Sequence, residues 1–443
     1  MKKFLISIIL VLTLVLAGCA GKSGATSGGE NVIRADNGVI DLLVGQEIAE
    51  FTNDGKTFGF AHLQCTASNP DVADVEDGKL KGISAGESSL EAVYENEPVR
   101  LSVRVWERAA SNEITESTVK TYGRTYTEND KIVVDNVNSG IGFAFYGTQC
   151  KLRVTGNGGS SYVRYYVDDD KTGVRASLYG SVINIENLVK GVHRIRVVKA
   201  TDQAFGDKYS FRFDEIKTGD DGYLLNRLPE NNQNKTLKID FYGDSITAGQ
   251  GNLAESAVET ISIDNSDGTQ TYAAFTAEAL GSASSFVGYG GITVKSGEWS
   301  KYTMYDLWKW YSALNQTDYP VDSDTDFVVI NLGTNDANAL SASTEYNTDT
   351  KRRNKFEQDY LSMLDEMSAV YPNAKFILCY GMMGSRSFID AGIKRAAAHF
   401  SGEAYYCRLP SNTDGAGAHP NVEGHRAAAE TLTKFIQDLL AAE

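Results

Sequence analysis

Five histidines and five cysteines in 443 residues, with no C-x-x-C and no H-E-x-x-H spacing, leave little from which to build a metal centre. Neither a metal nor another cofactor is expected. Cysteines are also too few and too scattered for a disulfide framework. Cys65 and Cys150 fall in different candidate domains, and Cys379 and Cys407 sit inside apolar runs, where a thiol is ordinarily buried and inert. A bridge between the last two would require their strands to be neighbours. Excess positive charge is missing as well: Lys and Arg number 42 against 58 Asp and Glu, a net charge of −16. With no run of Lys or Arg to follow a phosphate backbone, nucleic acid is excluded as an expected partner, and adsorption to anionic lipid is disfavoured. Neutral substrates such as sugars or esters are unaffected by this acidity.

Long apolar runs are scarce too. The one that matters, Phe4 to Ala17, has 14 residues, short of the ~20 needed to span a bilayer as a helix, but suited to the core of a secretory signal behind Met1-Lys2-Lys3. Leu16-Ala17-Gly18-Cys19 then resembles a bacterial lipobox. That resemblance implies cleavage before Cys19, lipidation of Cys19, and a protein exported and held at the bacterial cell surface through its anchor. Residues 1–18 are therefore expected to be a lipoprotein signal peptide. Residues 19–31, rich in Gly and Ser from Gly21 to Gly29, are expected to be a tether.

From 32 to 108 the pattern is short β-type runs broken by Asn, Asp, Gly and Pro, ending in the alternating Leu101-Ser102-Val103-Arg104-Val105-Trp106. Ser68-Asn69-Pro70-Asp71-Val72-Ala73-Asp74-Val75 and Gly78 to Glu87 make this segment similar to the bacterial Ig-like group 2 domain, a non-catalytic β-sandwich. Residues 109–223 continue in longer β runs, including Ile141 to Tyr146, Lys151 to Thr155, Tyr162 to Val167 and His193 to Lys199. Their spacing predicts a second sandwich or jelly roll. His193 heads an alternating strand and reads as a structural histidine.

Beyond Lys235 the texture changes. Apolar runs at Leu237–Tyr242, Ser285–Tyr289, Asp326–Leu332, Lys375–Tyr380 and Ala404–Leu409 alternate with helical patterns such as Phe356, Tyr360, Met363, Leu364, Met367 and Val370. Five βα units predict an open α/β/α parallel sheet over 224–443, whose reactive residues lie beyond the strands' carboxyl ends. There stand Ser245 in Gly243-Asp244-Ser245; Gly290 and Gly291 after the second run; Asn335 in Gly333-Thr334-Asn335-Asp336; and His419 before the last helix. A serine hydroxyl needs a base, which His419 can be, and an oxyanion needs fixed donors, which Ser245 N–H, Gly291 N–H and the Asn335 carboxamide can supply.

These four segments, in this order, resemble the catalytic blocks of the SGNH, or GDSL, hydrolase superfamily, which implies a flavodoxin-like fold. Ser139 to Gly147 and Gly191 to Thr201 resemble the jelly roll that precedes such a domain in carbohydrate esterase family 2. The pair of resemblances implies removal of acetyl groups from plant polysaccharides such as xylan and glucomannan, through an acetyl-Ser245 intermediate. One departure stands out. The superfamily carries an aspartate three residues before the histidine, and family 2 members can have it two before; here those positions hold Ala416 and Gly417. Orientation of His419 then falls either to Asp414, five residues before it, or to a backbone carbonyl. Tyr289, Trp299 and Trp308 are candidate sugar-contacting residues, although the helical spacing of the segment around Trp308 also suits core packing. His399 and His425 read as structural. Two other readings fit parts of the pattern: an SGNH lipase or acyl esterase acting on other esters, and a non-catalytic glycan-binding surface lipoprotein.

Overall fold

The structure, a computed structural model, describes residues 32–34, 38–53, 56–94, 97–158, 161–229, 236–295 and 301–442. The expected signal peptide, Cys19, the tether and Trp299 lie outside the described residues.

The C-terminal part is an all-parallel five-stranded sheet. Its strands are β1 (Lys238–Gly243), β2 (Ala283–Gly288), β3 (Phe327–Asn331), β4 (Lys375–Tyr380) and β5 (Ala404–Arg408). Their spatial order is β2-β1-β3-β4-β5, so the strand order reverses at β1, where an open α/β sheet forms its crevice. Both faces are covered, which is why the strands read as nearly continuous apolar runs. One face buries helices α4 (Thr334–Ala342), α5 (Asp349–Val370) and α6 (Ser387–His399) around Phe356, Tyr360, Met363, Leu364 and Ile393. The other buries α2 (Tyr272–Leu280) and α7 (Val422–Ala441) through Tyr272, Ala273, Ala428, Leu432 and Ile436. In α5 the Thr348 hydroxyl caps Lys351 N–H, and one apolar stripe faces the sheet. Each fully buried side chain of that stripe contributes about 1.5–3 kcal/mol by removal from water. Cys379 and Cys407 are register partners on β4 and β5 and are free thiols.

The segment around Trp308 is not one long helix. Only α3 (Met304–Leu307) is helical, and Trp310 then bridges to Asp318. Trp308 is 4% exposed, packed among Met304, Leu307 and their neighbours in the sheet's core. The expectation of Trp308 as a sugar-contacting residue is therefore corrected: its ring is spent on the core.

Upstream lies a sandwich of two antiparallel sheets facing one core. One sheet orders Val119–Tyr122, Gly140–Gly147, Gly191–Lys199, Tyr162–Val167 and Val174–Ser177, with Tyr223–Leu224 added against Gly140–Gly147. The other orders Thr125–Glu128, Lys131–Val134, Phe211–Thr218, Cys150–Gly156 and Val182–Ile185. Phe143, Phe145, Phe211, Phe213, Ile195 and Val197 fill the space between them. Nearer the N-terminus, three small sheets enclose a separate core of Ile40, Leu42, Phe51, Leu80, Leu90 and Val103. His193 is held within the sandwich unit between two acceptors, its Nδ1 2.9 Å from Asp168 Oδ2 and its Nε2 2.7 Å from Val189 O.

The sandwich docks on the parallel sheet through buried polar groups. Arg124 is 1% exposed; its Nη1 donates to Trp308 O at 2.8 Å and Trp310 O at 2.6 Å, and Nη2 donates to Tyr242 Oη at 2.5 Å. Tyr371 Oη donates in turn to Asp240 Oδ2 at 2.6 Å. Arg164 pairs with Asp267 at 2.7 Å, and Asn136 Nδ2 donates to Tyr311 O at 2.6 Å. A desolvated guanidinium is tolerated only because carbonyls and hydroxyls replace its water. Substituting Arg124→Met leaves those acceptors buried and unpaired, and should lower the unfolding free energy by about 3–5 kcal/mol. Urea denaturation of the variant and parent would measure it; a change below about 1 kcal/mol would contradict the assignment.

Candidate active site

Ser245 is the first residue of the one-turn helix α1 (Ser245–Ala248), which follows β1 after the single residue Asp244. Two glycines permit that turn. A Cβ on Gly243 would lie 2.0 Å from Thr247 Oγ1, and one on Gly288 would lie 2.7 Å from Ala248 N, so α1 presses directly on the ends of β1 and β2. Asp244 caps the turn, its Oδ1 accepting from Ile246 N–H at 2.9 Å. Gly249, in the left-handed region at φ 75°, ends it.

The base arrives from the other end of the chain. The loop 414–421 is held on itself and on the α1 region: Gly415 N–H donates to His419 O at 2.8 Å, and Ala416 N–H to Gly251 O at 2.9 Å. Asn421 caps α7 by accepting from Gly424 N–H at 2.9 Å. Immediately before His419 the chain passes through Gly417 and Ala418, both at φ 59°, a conformation an alanine adopts only under constraint. His419 Nε2 thereby reaches Ser245 Oγ at 2.8 Å, with both residues buried.

Of the two candidate orienters, it is the carbonyl that meets the ring: His419 Nδ1 lies 3.1 Å from Ala416 O. Asp414 is exposed and accepts instead from Asn412 Nδ2 at 2.7 Å. The expectation of Asp414 as orienter is thus corrected; the turn at Gly415 faces its side chain toward Asn412. Since a carbonyl can only accept, Nδ1 carries the proton, which leaves the Nε2 lone pair facing Ser245. Burial holds the imidazole below its usual range, and the Ala416 and Gly417 backbone contacts offset this in part.

The expected donors stand in the turns that follow β1, β2 and β3, whose ends are in register at Gly243, Gly288 and Asn331. The amides of Ser245 and Gly291 have no protein acceptor among the described residues. Ser245 N–H is at a helix start, where N–H groups have no intrahelical partner. Gly291 sits at φ 80°. Asn335, in the first turn of α4, donates one amide hydrogen to Ile292 O at 2.9 Å, leaving its second for another acceptor. Tyr289 is half-buried beside this turn and meets Tyr302 edge-on at 5.9 Å.

Beneath these residues lie two buried carboxyls. Asp336 Oδ1 accepts from Val294 N–H at 3.0 Å; its Oδ2 and Asp244 Oδ2 have no protein partner. Burial pushes Asp336 up to about 8 and Asp244 up to about 7. His399 pairs with Glu357 at 2.7 Å, and the buried His425 accepts from Tyr272 N–H at 3.0 Å, so neither faces Ser245. Among the described residues no group of three or more His, Cys, Asp or Glu could hold a metal ion. A cleft of about 1610 Å³ lined by Trp106, Tyr122, Tyr166 and Arg194 includes none of these site residues; geometry, not cavity size, locates the chemistry.

A serine hydrogen-bonded to a tautomer-fixed histidine, with unpaired N–H groups in its own turn and in the turn after the neighbouring strand, is suited to acyl transfer. Residues 241–427 match the GDSL-like Lipase/Acylhydrolase family, and residues 121–227 match the Carbohydrate esterase 2 N-terminal family. The chain thus carries a GDSL-type domain preceded by a carbohydrate esterase 2 N-terminal domain. It is 25% identical over 319 residues to the cellulase/esterase CelE of Acetivibrio thermocellus, covering 68% of this chain and 37% of CelE, so it spans little more than a third of that curated relative. Two solved structures share its fold. A family two carbohydrate esterase from Clostridium thermocellum in complex with cellohexaose has a TM-score of 0.62 at 24% identity, over 73% of this chain and 99% of that one. An acetyl xylan esterase, Est2A, from Butyrivibrio proteoclasticus has a TM-score of 0.64 at 20% identity, over 76% and 99%.

Sequence reasoning missed Asp202, Gln203 and Gln250 beside the Gly290-Gly291 turn; the first two reach it only through the three-dimensional docking of the sandwich.

The Asp336 carboxyl sets a stability test. Its folded value is raised from 3.8 to about 8, so its contribution is fully present below about pH 4 and is lost as pH rises through about 8. Asp336→Asn keeps an oxygen for Val294 N–H but cannot ionise. Its thermal midpoint should gain on the parent's as pH goes from about 5 to about 9; a difference independent of pH would contradict the buried-acid reading.

Proposed function

We propose that the chain is a carbohydrate O-acetyl esterase that works through an acetyl-Ser245 intermediate. The observation that carries the reading is the 2.8 Å contact between Ser245 Oγ and His419 Nε2. Ser245 Oγ attacks the acetyl carbonyl while its proton passes to Nε2, and the resulting imidazolium stays bonded to Ala416 O through Nδ1. The carbonyl electrons move to oxygen, where the amides of Ser245 and Gly291 and the Asn335 carboxamide meet the charge. Collapse breaks the bond to the sugar oxygen, which takes the proton back from Nε2. Water, deprotonated by the same nitrogen, then releases acetate and restores Ser245.

Acetylated polysaccharide or oligosaccharide, of the xylan or glucomannan type, is the substrate class we favour. Its support is the carbohydrate esterase 2 N-terminal match and the likeness to CelE and Est2A. We further propose that residues 32–108 form an Ig-like spacer, 109–223 the jelly roll and 224–443 the catalytic unit. In this reading Cys19 carries the lipid that holds an exported protein at the cell surface, and Tyr289 contacts the sugar.

Acetate release from acetylated xylan and glucomannan, compared with phospholipid and long-chain p-nitrophenyl esters, tests the substrate class. Ser245→Ala should reduce turnover by ~10⁴- to 10⁶-fold and Asn335→Ala by ~10²- to 10³-fold; parental acetate release by Ser245→Ala would end the proposal. The histidine's partner yields a second outcome. With a carbonyl rather than a carboxylate at Nδ1 and the imidazole held below 6.5, activity should rise through an acid limb below that value and be flat near neutrality. A Cβ at Gly417 would lie 3.7 Å from His419 Nδ1, and aspartate tolerates its left-handed backbone better than most residues. Gly417→Asp should therefore move the acid limb of kcat/KM to higher pH, because a carboxylate there favours the imidazolium. An unmoved or lowered limb in an active variant would count against this electrostatic account.

A further inference from the structure

We propose that Asp202, which belongs to the sandwich and not to the parallel-sheet unit, is a positioning residue that sets the oxyanion donor Gly291 N–H. The inference rests on the serine-esterase reading above. Asp202 follows the strand Gly191–Lys199 and is completely buried. Its Oδ1 accepts from Ala204 N–H at 2.9 Å, which anchors the carboxylate to its own loop. Its Oδ2 crosses to the other unit and accepts from Gly290 N–H at 3.0 Å and from Gln250 Nε2 at 2.8 Å. One carboxylate oxygen thus ties the turn after β2 to Gln250, two residues beyond α1.

The neighbouring side chain completes the clamp. Gln203 Nε2 donates to Gly288 O at 3.3 Å and to Asn136 Oδ1 at 2.6 Å, while its Oε1 accepts from Ala313 N–H at 2.9 Å. Consecutive sandwich residues therefore grip Gly288 and Gly290, the two glycines flanking Tyr289. Gln250 lies so close that a Cβ on Gly290 would approach its Nε2 to 2.2 Å and displace the amide that bonds to Asp202. Glycine is also the residue least able to hold a backbone orientation by itself. Gly291, one peptide further on at φ 80°, inherits its direction from this external support. The Lys199 ammonium, buried nearby and donating to Thr201 O, favours the charged carboxylate; burial pushes Asp202 up only to about 6, so it is ionised at neutral pH. Oxyanion donors act by being aimed before the charge develops, and a misplacement of about 1 Å costs ~10²-fold in rate. Loss of Asp202 should consequently weaken binding of the transition state more than binding of the ester.

The test uses the full chain, with p-nitrophenyl acetate and acetylated xylan as substrates and phenylboronic acid, which adds to a serine as a tetrahedral anion, as the transition-state probe. Asp202→Asn should lower kcat by about 10- to 100-fold with KM changed less than about threefold, and should raise the phenylboronic acid Ki by a factor close to the loss in kcat. Unchanged kcat in the folded variant overturns the assignment, as does a fall in kcat with Ki unmoved. Should Asp202→Asn not fold, Gln250→Met removes one of the two donors that cross to the carboxylate. It should produce the same pattern at about 3- to 10-fold; no change in kcat or Ki would overturn the proposal. An active parent with an indifferent Asp202→Asn refutes Asp202 alone, whereas a parent without turnover on either ester refutes the esterase reading and this inference with it.

Discussion

The structure depends on polar groups that two units have jointly removed from water. Arg124, Asn136, Arg164, Asp202 and Gln203 leave the sandwich and find their partners on the parallel-sheet unit. Each would carry a desolvation cost of several kcal/mol if left unpaired. Such groups tolerate one relative placement of the units, because carbonyls, a carboxylate and an amide must all be met at hydrogen-bond distance together. Apolar contact alone would allow sliding; this interface does not. Val137, in the same docking loop, joins the sheet's core and adds apolar burial to the directional contacts.

The candidate site inherits its precision from that docking. The Ser245 turn is local, built from Gly243, the Asp244 cap and Gly249, and needs little beyond its own strand. The Gly290-Gly291 turn is different, since the Gly290 amide is held by Asp202 and the Gly288 carbonyl just before the turn by Gln203. His419 stands between these cases: its loop is fastened to Gly251, and its ring to a carbonyl of its own loop. A carbonyl fixes the tautomer as a carboxylate would, but contributes less to stabilising the imidazolium. Burial raises both the Asp336 and the Asp244 carboxyl, which disfavours a full negative charge on either.

Which features were legible follows from how far each signal reaches along the chain. The five strands stood out because a parallel sheet covered on both faces requires continuous apolar runs, and the observed limits fall within two residues of those expected. Ser245, Gly291, Asn335 and His419 could be picked out because strand ends are where such a sheet exposes reactive groups. Trp308 misled because an aromatic at helical spacing serves a core or a sugar equally well, and only burial separates them. Asp414 misled because nearness in sequence is not nearness in space: a left-handed turn at Gly417 and Ala418 directs the ring toward Ala416 O. Asp202 and Arg124 carried no signal at all. Each is an ordinary loop residue until a segment more than 80 residues away is folded against it.

The sequence by itself therefore determined the parallel-sheet unit, the β-rich units before it and the pairing candidates Ser245 and His419, which meet at the strand ends. These follow from hydrophobic periodicity and from glycine's freedom to turn, which act over a few residues. Tertiary structure alone decided what orients His419, what holds the Gly290-Gly291 turn and which aromatic rings remain outside the core. Those outcomes depend on desolvated hydrogen bonds between distant segments, whose energies exist only once the chain has folded and water has been excluded.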